Sequence, residues 1–166
     1  MIRTFLERRR VRRAFEKFIA PERLEALLRD GGDKQLVKQG RIDFVLAFVR
    51  GESPSQISEC MARVVDLAVE HGAGVYDLVG GLVVVAFGIP FGIPPSQSGS
   101  RGSLVQALRE QLAENVKIVH GAADGYHGLF GSSRTRVSYT FVVPGFDAIL
   151  GTLSRLEFGQ SEEIRG

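Results

Sequence analysis

From residue 41 to residue 50 the chain reads RIDFVLAFVR, apolar at nearly every position, the pattern of a strand covered on both faces. The next stretch, ESPSQISECMARVVDLAVEHG (52–72), changes period, with Ile57, Met61, Val64 and Ala68 recurring at helical spacing. Ser53 is placed to cap this helix, Pro54 sits at its first position and Gln56 completes a capping box. His71 suits the negative end of the helix dipole, and Gly72 closes the helix. GVYDLV and LVVVAFG then read as two strands joined by Gly80-Gly81, a β-hairpin with nothing reactive in its turn. IPFGIPPSQSGSRGS (89–103), rich in Pro, Gly and Ser, predicts a long irregular loop or lid. SLVQALREQLAEN predicts a short helix, and VKIVHGAADG, YHGLF and RVSYTFVV predict three antiparallel strands with glycine turns. GFDAILGTLSRLEFG predicts a last helix, and the polar tail QSEEIRG is expected to fray.

Two helices are predicted ahead of the first strand. Residues 3–19 place Phe5, Val11, Phe15 and Phe18 on one side. APERLEALLRDGGD (20–33) carries Pro21 in its first turn, a Leu24, Leu27, Leu28 stripe, and a Gly31-Gly32 stop. Residues 1–38 therefore form a helical lead-in and 39–166 a single domain. From residue 41 the order is strand, helix, strand, strand, helix, strand, then a hairpin extension and a helix. That β-α-β-β-α-β core predicts an α+β, ferredoxin-like fold with an antiparallel sheet and helices on one face.

Composition narrows the function. With 166 residues, 44% hydrophobic and 24% charged, the chain can bury a sizeable core. No run of eighteen apolar residues predicts a membrane span. Cys60 is the only cysteine, which excludes an internal disulfide and a cysteine zinc cluster. His71, His120 and His127 are too scattered to suggest a metal site. Net charge is +2, but RTFLERRRVRR concentrates six arginines and one glutamate at residues 3–13. Such a cluster suits a solvated helix face or anionic lipid headgroups. Nucleic acid is not expected, because no basic stripe with interleaved aromatics follows. Arginines in this position suit the start of a cytoplasmic segment, so the chain is expected to be cytoplasmic, near a membrane if it belongs to a longer anchored protein.

The stretches RRRVRRAFEKFIAPERLEALL, RIDFVLAFVRG, VVDLAVEHGAGVYDLVGGLVVVAFGIP, VKIVHGAADGYHGLFGSSRTRVSYTFVV and LSRLEFG together resemble, in order, the catalytic domain of class III adenylate/guanylate cyclases. The resemblance implies a dimer with active sites at the subunit interface. It implies two aspartates holding two metal ions, Mg or Mn, and an asparagine and an arginine four residues apart on a helix of the other subunit. The 3′-hydroxyl must attack the α-phosphate while charge is neutralised where it develops.

This chain departs from that pattern at every position. Where the family has Phe-x-Asp after strand one, it has Phe48-Val49-Arg50, a permanent cation in place of a metal ligand. Where the family has Gly-Asp in the hairpin turn, it has Gly80-Gly81. For the asparagine and arginine the candidate pairs are Asp147/Gly151, Ala148/Thr152 and Gly151/Arg155, and none supplies both groups. The chain's one asparagine, Asn115, lies elsewhere. Asp77 falls where adenylate cyclases of this family often carry a base-reading lysine. The resemblance therefore implies a degenerate cyclase domain, without metal or other cofactor, that forms homodimers, or heterodimers with another cyclase-type domain, as a regulatory module. Two alternatives stay open: a divergent cyclase using Asp77, Glu52 or Asp147 with Mg or Mn, and a metal-independent nucleotide sensor using Arg50 and Asp77. Asp43 lies nearer the far end of strand one. GLFGSSRTR (128–136) reads as a structural turn, since it lacks the Walker pattern. Ser132, Ser133 and His127 make no triad without an orienting acid, and Cys60 reads as a packing residue.

Overall fold

The structure is a computed structural model that describes residues 37–89, 98–131 and 137–165. The predicted helices of 3–19 and 20–33, their arginine cluster, and Ser132 and Ser133 lie outside the described residues. The elements run β1 (Val37–Val49), α1 (Pro54–Glu70), β2 (Gly74–Val79), β3 (Leu82–Phe87), α2 (Ser98–Leu112), β4 (Val116–Gly131), β5 (Val137–Val142), α3 (Phe146–Arg155) and β6 (Ser161–Arg165). One mixed sheet has the order β2-β3-β1-β4-β5, with β6 added beside β4. The first four strands and two helices are the predicted ferredoxin-like core.

Strand β1 lies at the centre and, from Ile42 onward, is largely buried on both faces, as its apolar run requires. Ile42, Phe44 and Leu46 point into one cluster with Val84, Ala86, Val119, Tyr139, Phe141 and α3 residues Ile149 and Leu153. Val45, Ala47 and Val49 point into the other, with Val83, Val85 and helix residues Val64, Leu67, Leu104 and Leu108. Each fully buried Val, Leu, Ile or Phe side chain among them contributes about 1.5–3 kcal/mol relative to exposure.

The helix α1 starts as its sequence demands. Ser53 is extended (φ −140°), its Oγ accepts from Gln56 N at 3.2 Å, and Gln56 Oε1 accepts from Glu52 N at 2.7 Å. At the other end His71 donates from its backbone and its ring Nδ1 (2.7 Å) to the Leu67 carbonyl.

Several expectations are corrected. Helices pack on both faces, with α1 and α2 on one and α3 on the other, because Ile149, Thr152 and Leu153 form a second buried stripe. Residues 116–131 are one strand rather than two, continuously paired with β1 from Val49↔Val116 to Val37↔Gly128. Helix α2 begins at Ser98, inside the stretch predicted to be loop. The tail does not fray. Residues Ser161–Arg165 pair in parallel with β4 over Ile118–Ala122, and Ile164 packs against the α3-side core. Gly121 makes this close approach possible, since a Cβ there would meet the Ile164 carbonyl oxygen at 2.5 Å.

Candidate functional site

The end of β1, the turn into α1 and the β2–β3 hairpin enclose a cleft of about 990 Å³, lined by Arg50, Glu52, Ser53, Met61, Leu78 and Gly81 among others. The hairpin and β1 are joined at its floor, where Val49 N donates to the Gly81 carbonyl at 2.9 Å. Arg50 and Gly81, the two positions that the family resemblance gives to metal-binding aspartates, are therefore brought together.

The turn itself is a two-residue loop with positive φ at both positions, +57° at Gly80 and +89° at Gly81, flanked by the Val79↔Leu82 pair. Positive φ at both centres is the primed turn that suits the right-handed twist of paired strands, and glycine adopts it freely. The two glycines are not equivalent. A Cβ on Gly80 would meet nothing within 4 Å, whereas one on Gly81 would lie 2.9 Å from the Val49 carbonyl oxygen. A side chain at 81 would thus need a left-handed backbone and displacement of β1 at once. Gly51 is tight as well, with a Cβ there 2.8 Å from Gln56 Cβ. The β1–α1 turn and the start of α1 are consequently packed close.

The exposed Arg50 places its guanidinium carbon 4.4 Å from the centre of the Phe158 ring, a cation–π contact, while its backbone N–H donates to Asn115 O at 2.9 Å. Lys117 shares this arrangement. Its Nζ is 5.4 Å from the Phe158 ring centre and 5.5 Å from that of Phe48, and it donates to the Ser154 and Leu156 carbonyls at 3.4 and 3.3 Å. Two cations thus flank Phe48 and Phe158 at the end of α3, where the carbonyl dipoles favour positive charge. Lys117 and Phe158 went unnoticed in the sequence. Only the Phe48↔Lys117 register brings the lysine here, and that register depends on strand pairing across the molecule.

The acids are dispersed. Asp77 is exposed on the edge strand opposite Val84, and its carboxylate accepts from the Leu78 backbone N at 2.9 Å. It does not line the cleft, whereas Glu52 and Asp66 do. Asp43 is opposite Phe87, toward the other end of β1, in an ion pair with Arg101, whose second nitrogen meets Glu163 at 2.6 Å. Among the described residues no three His, Cys, Asp or Glu side chains converge as a metal-holding group. A pair of hard divalent cations needs a set of oxygen donors, and a guanidinium beside them opposes their charge. The residues present do not fit a two-metal centre.

On α3, Asp147 and Ala148 are exposed and Gly151 is half-buried. Asp147, Gly151 and Arg155 follow one another at four-residue spacing, one stripe of the helix. Of the Ala148/Thr152 pair only Thr152 is turned inward: it is buried, and its Oγ1 donates to the Ala148 backbone carbonyl at 3.2 Å. Arg155 Nη2 donates in turn to Thr152 Oγ1 at 3.1 Å.

The histidines are structural in their surroundings. His127 is buried, with Nδ1 hydrogen-bonded to the Tyr139 hydroxyl, and burial and then Lys38 lower its pKa. Burial and the adjacent Arg101 lower that of His120, against the opposing pull of Glu163 and Asp43. Burial raises the Tyr76 and Tyr139 hydroxyls. Tyr76 donates to the Ile89 carbonyl at 2.5 Å. Cys60 is half-buried at the margin of the α1-side core.

No protein-family model matches the sequence, and no curated protein does. Solved structures do match. The adenylyl cyclase CyaB from P. aeruginosa aligns with a TM-score of 0.65 at 17% identity, over 78% of this chain and 79% of that one. The guanylate cyclase domain of RhGC from Catenaria anguillulae, solved with GTP, aligns at 0.62 and 10% identity, over 76% and 79%. A bacterial light-regulated adenylyl cyclase aligns at 0.65 and 12% identity, over 92% of this chain and 50% of that one. The chain has the fold of the class III cyclase catalytic domain.

Proposed function

We propose that this chain is a cyclase-fold domain that makes no cyclic nucleotide and serves as a dimerising, regulatory module in signalling of that type. The hairpin turn carries this reading. Gly81 is pinned against the Val49 carbonyl at a backbone angle that strains any side chain, and Arg50 stands beside it. The cleft has Arg50 at its rim, and its two carboxylates, Glu52 and Asp66, are not joined by others into a metal-holding group among the described residues. The α3 stripe adds no asparagine, so the domain supplies neither half of a composite site to its own copy or to an active relative. A divergent cyclase built on Asp77, Glu52 and Asp147 is less favoured, because these acids stand on three separate parts of the fold.

Purified protein tests the proposal. Light scattering is expected to give a dimer, and incubation with ATP or GTP and Mg²⁺ or Mn²⁺ is expected to give no cyclic product. Metal-dependent turnover would sink it.

The Arg50–Phe158–Lys117 arrangement favours a second reading, a sensor that binds ATP or GTP without metal. Millimolar nucleotide would then raise the melting temperature in EDTA, and Arg50→Ala would remove the shift. The capped start of α1 counts against it: Pro54 has no N–H, and the Gln56 N–H is taken by Ser53.

A further inference from the structure

A second concavity, of about 770 Å³, shares no residue with the cleft. It lies between the end of α2, strand β4 and the link from α3 into β6, and its size is that of a small-molecule site, about 300–1,000 Å³. One wall is a face of α2, where Gln106, Arg109 and Glu110 follow at three- and four-residue spacing and Ala113 continues the line just past the helix end. His120 of β4 and Ser161 of β6 form the other side. The link is folded tightly against α2. Gly159, at φ +91°, donates its N–H to the Val116 carbonyl at 2.7 Å, and a Cβ on it would lie 4.0 Å from the Glu114 Cα.

Three observations at this place have no role in the packing of the fold. Ala113, at φ +42°, is the one non-glycine residue with positive φ among the described residues. Such backbone is unfavourable for a residue with a side chain and gathers where ligands are held. His120 Nδ1 is buried without a hydrogen-bond partner, against the rule for buried polar atoms. Arg109 and Glu114 are exposed and form no ion pair or side-chain hydrogen bond among the described residues. Glu110, by contrast, is held in place by Gln106, whose Nε2 donates to its Oε1 at 2.8 Å.

Charge decides what fits. Arg109 supplies one cation to the lining and Glu110 and Glu114 supply two anions. His120 adds none near neutral pH, since burial and Arg101 lower its pKa. A simple anion such as phosphate would meet both carboxylates. A lone divalent cation would meet the guanidinium, and no three His, Cys, Asp or Glu side chains converge to hold it among the described residues. The complement of one guanidinium and two carboxylates is a molecule with one carboxylate and two cationic groups. We propose that this concavity binds a small dibasic amino acid, with its carboxylate on Arg109 and its two cationic groups on Glu110 and Glu114. Each contact is a charge-assisted hydrogen bond. No hydrogen bond fixes the Nδ1 edge of His120, so a turn of the ring brings a nitrogen round to the ligand. A bound molecule then joins α2 to β6, two elements that meet at this place. The inference does not depend on what the cleft does.

Titration of the isotope-labelled full chain with L-lysine, followed by amide resonances at constant pH and ionic strength, decides it. One saturable set of shifts centred on 102–120 and 159–161 is expected. L-Norleucine, which lacks the side-chain ammonium, is expected to bind several-fold more weakly, and L-glutamate more weakly still. Arg109→Gln and Glu114→Gln change exposed side chains, so the spectrum of the fold is expected to persist while lysine binding weakens several-fold in each. The absence of a saturable shift, shifts centred elsewhere, binding of norleucine or glutamate as tight as that of lysine, or undiminished lysine binding in either variant overturns the proposal.

Discussion

At the scale of single residues, the hairpin glycines separate two questions that the sequence leaves joined. A glycine pair between strands is a turn, and Gly80 and Gly81 look interchangeable in the text of the chain. The structure distinguishes them by what lies behind each, open space for Gly80 and the Val49 carbonyl for Gly81. Placing at 81 the acid that the family resemblance implies there is therefore not a matter of charge alone. Gly81→Asp is expected to lower the free energy of unfolding by about 1–3 kcal/mol, the cost of a side chain held in a strained backbone region, and to give no metal affinity. Gly80→Asp is expected to be milder, because aspartate tolerates the left-handed region and nothing crowds it. Urea midpoints and Mn²⁺ calorimetry of both variants check this. A Gly81→Asp protein as stable as the wild type that binds Mn²⁺ would show that the turn never excluded the chemistry.

At the scale of elements, the ion-paired Arg101 holds three pieces of chain together. It reaches from α2 to Asp43 on β1 and to Glu163 on β6, with only 13% of its side chain exposed. Hydrogen bonds to charged groups contribute about 1.5–3 kcal/mol when partly buried, so Arg101→Ala is expected to lose about 2–3 kcal/mol and to release β6. Glu163→Gln, at the half-exposed partner, is expected to change stability by less than about 1 kcal/mol. Amide exchange of 161–165 reports the strand directly, and unchanged protection in Arg101→Ala would mean that backbone pairing holds β6 unaided. The same strand shows why reading the sequence succeeded in some places and not in others. Helix α1 was legible to the residue because its cap, period and stop are local. The β1 run and the hairpin were legible for the same reason. QSEEIRG carries no local signal of a strand, and only Gly121, far away in sequence, makes room for Ile164. At the site, that positions 50 and 81 carry an arginine and a glycine was legible because a residue type needs no geometry. The meeting of Arg50, Lys117 and Phe158, and the inward turn of Thr152, required the register and the packing.

At the scale of the whole molecule, β4 couples the two cores to pH. It presents His120 toward the α2 side and His127 toward the α3 side, and both have pKa values lowered from 6.5, mainly by burial. Neighbouring charges modify this without reversing it: for His120, Arg101 lowers while Glu163 and Asp43 raise, and for His127, Lys38 lowers. In the unfolded chain both imidazoles regain an ordinary pKa and bind protons first as pH falls. Stability is then fully present above about pH 7 and declines as pH drops through 6.5 toward the folded values. Carboxylates titrate lower, near pH 4, so the window between about pH 7 and 5 belongs to the histidines. Thermal midpoints are expected to be level above about pH 7 and to fall steadily below it. A His120→Gln, His127→Gln double variant is expected to have a flatter profile over the same range, even if its midpoint is lower throughout. His127→Gln alone should remove part of the slope, because the two side chains face different cores and their protonation is separable. An unaltered slope in the double variant would place the acid sensitivity elsewhere.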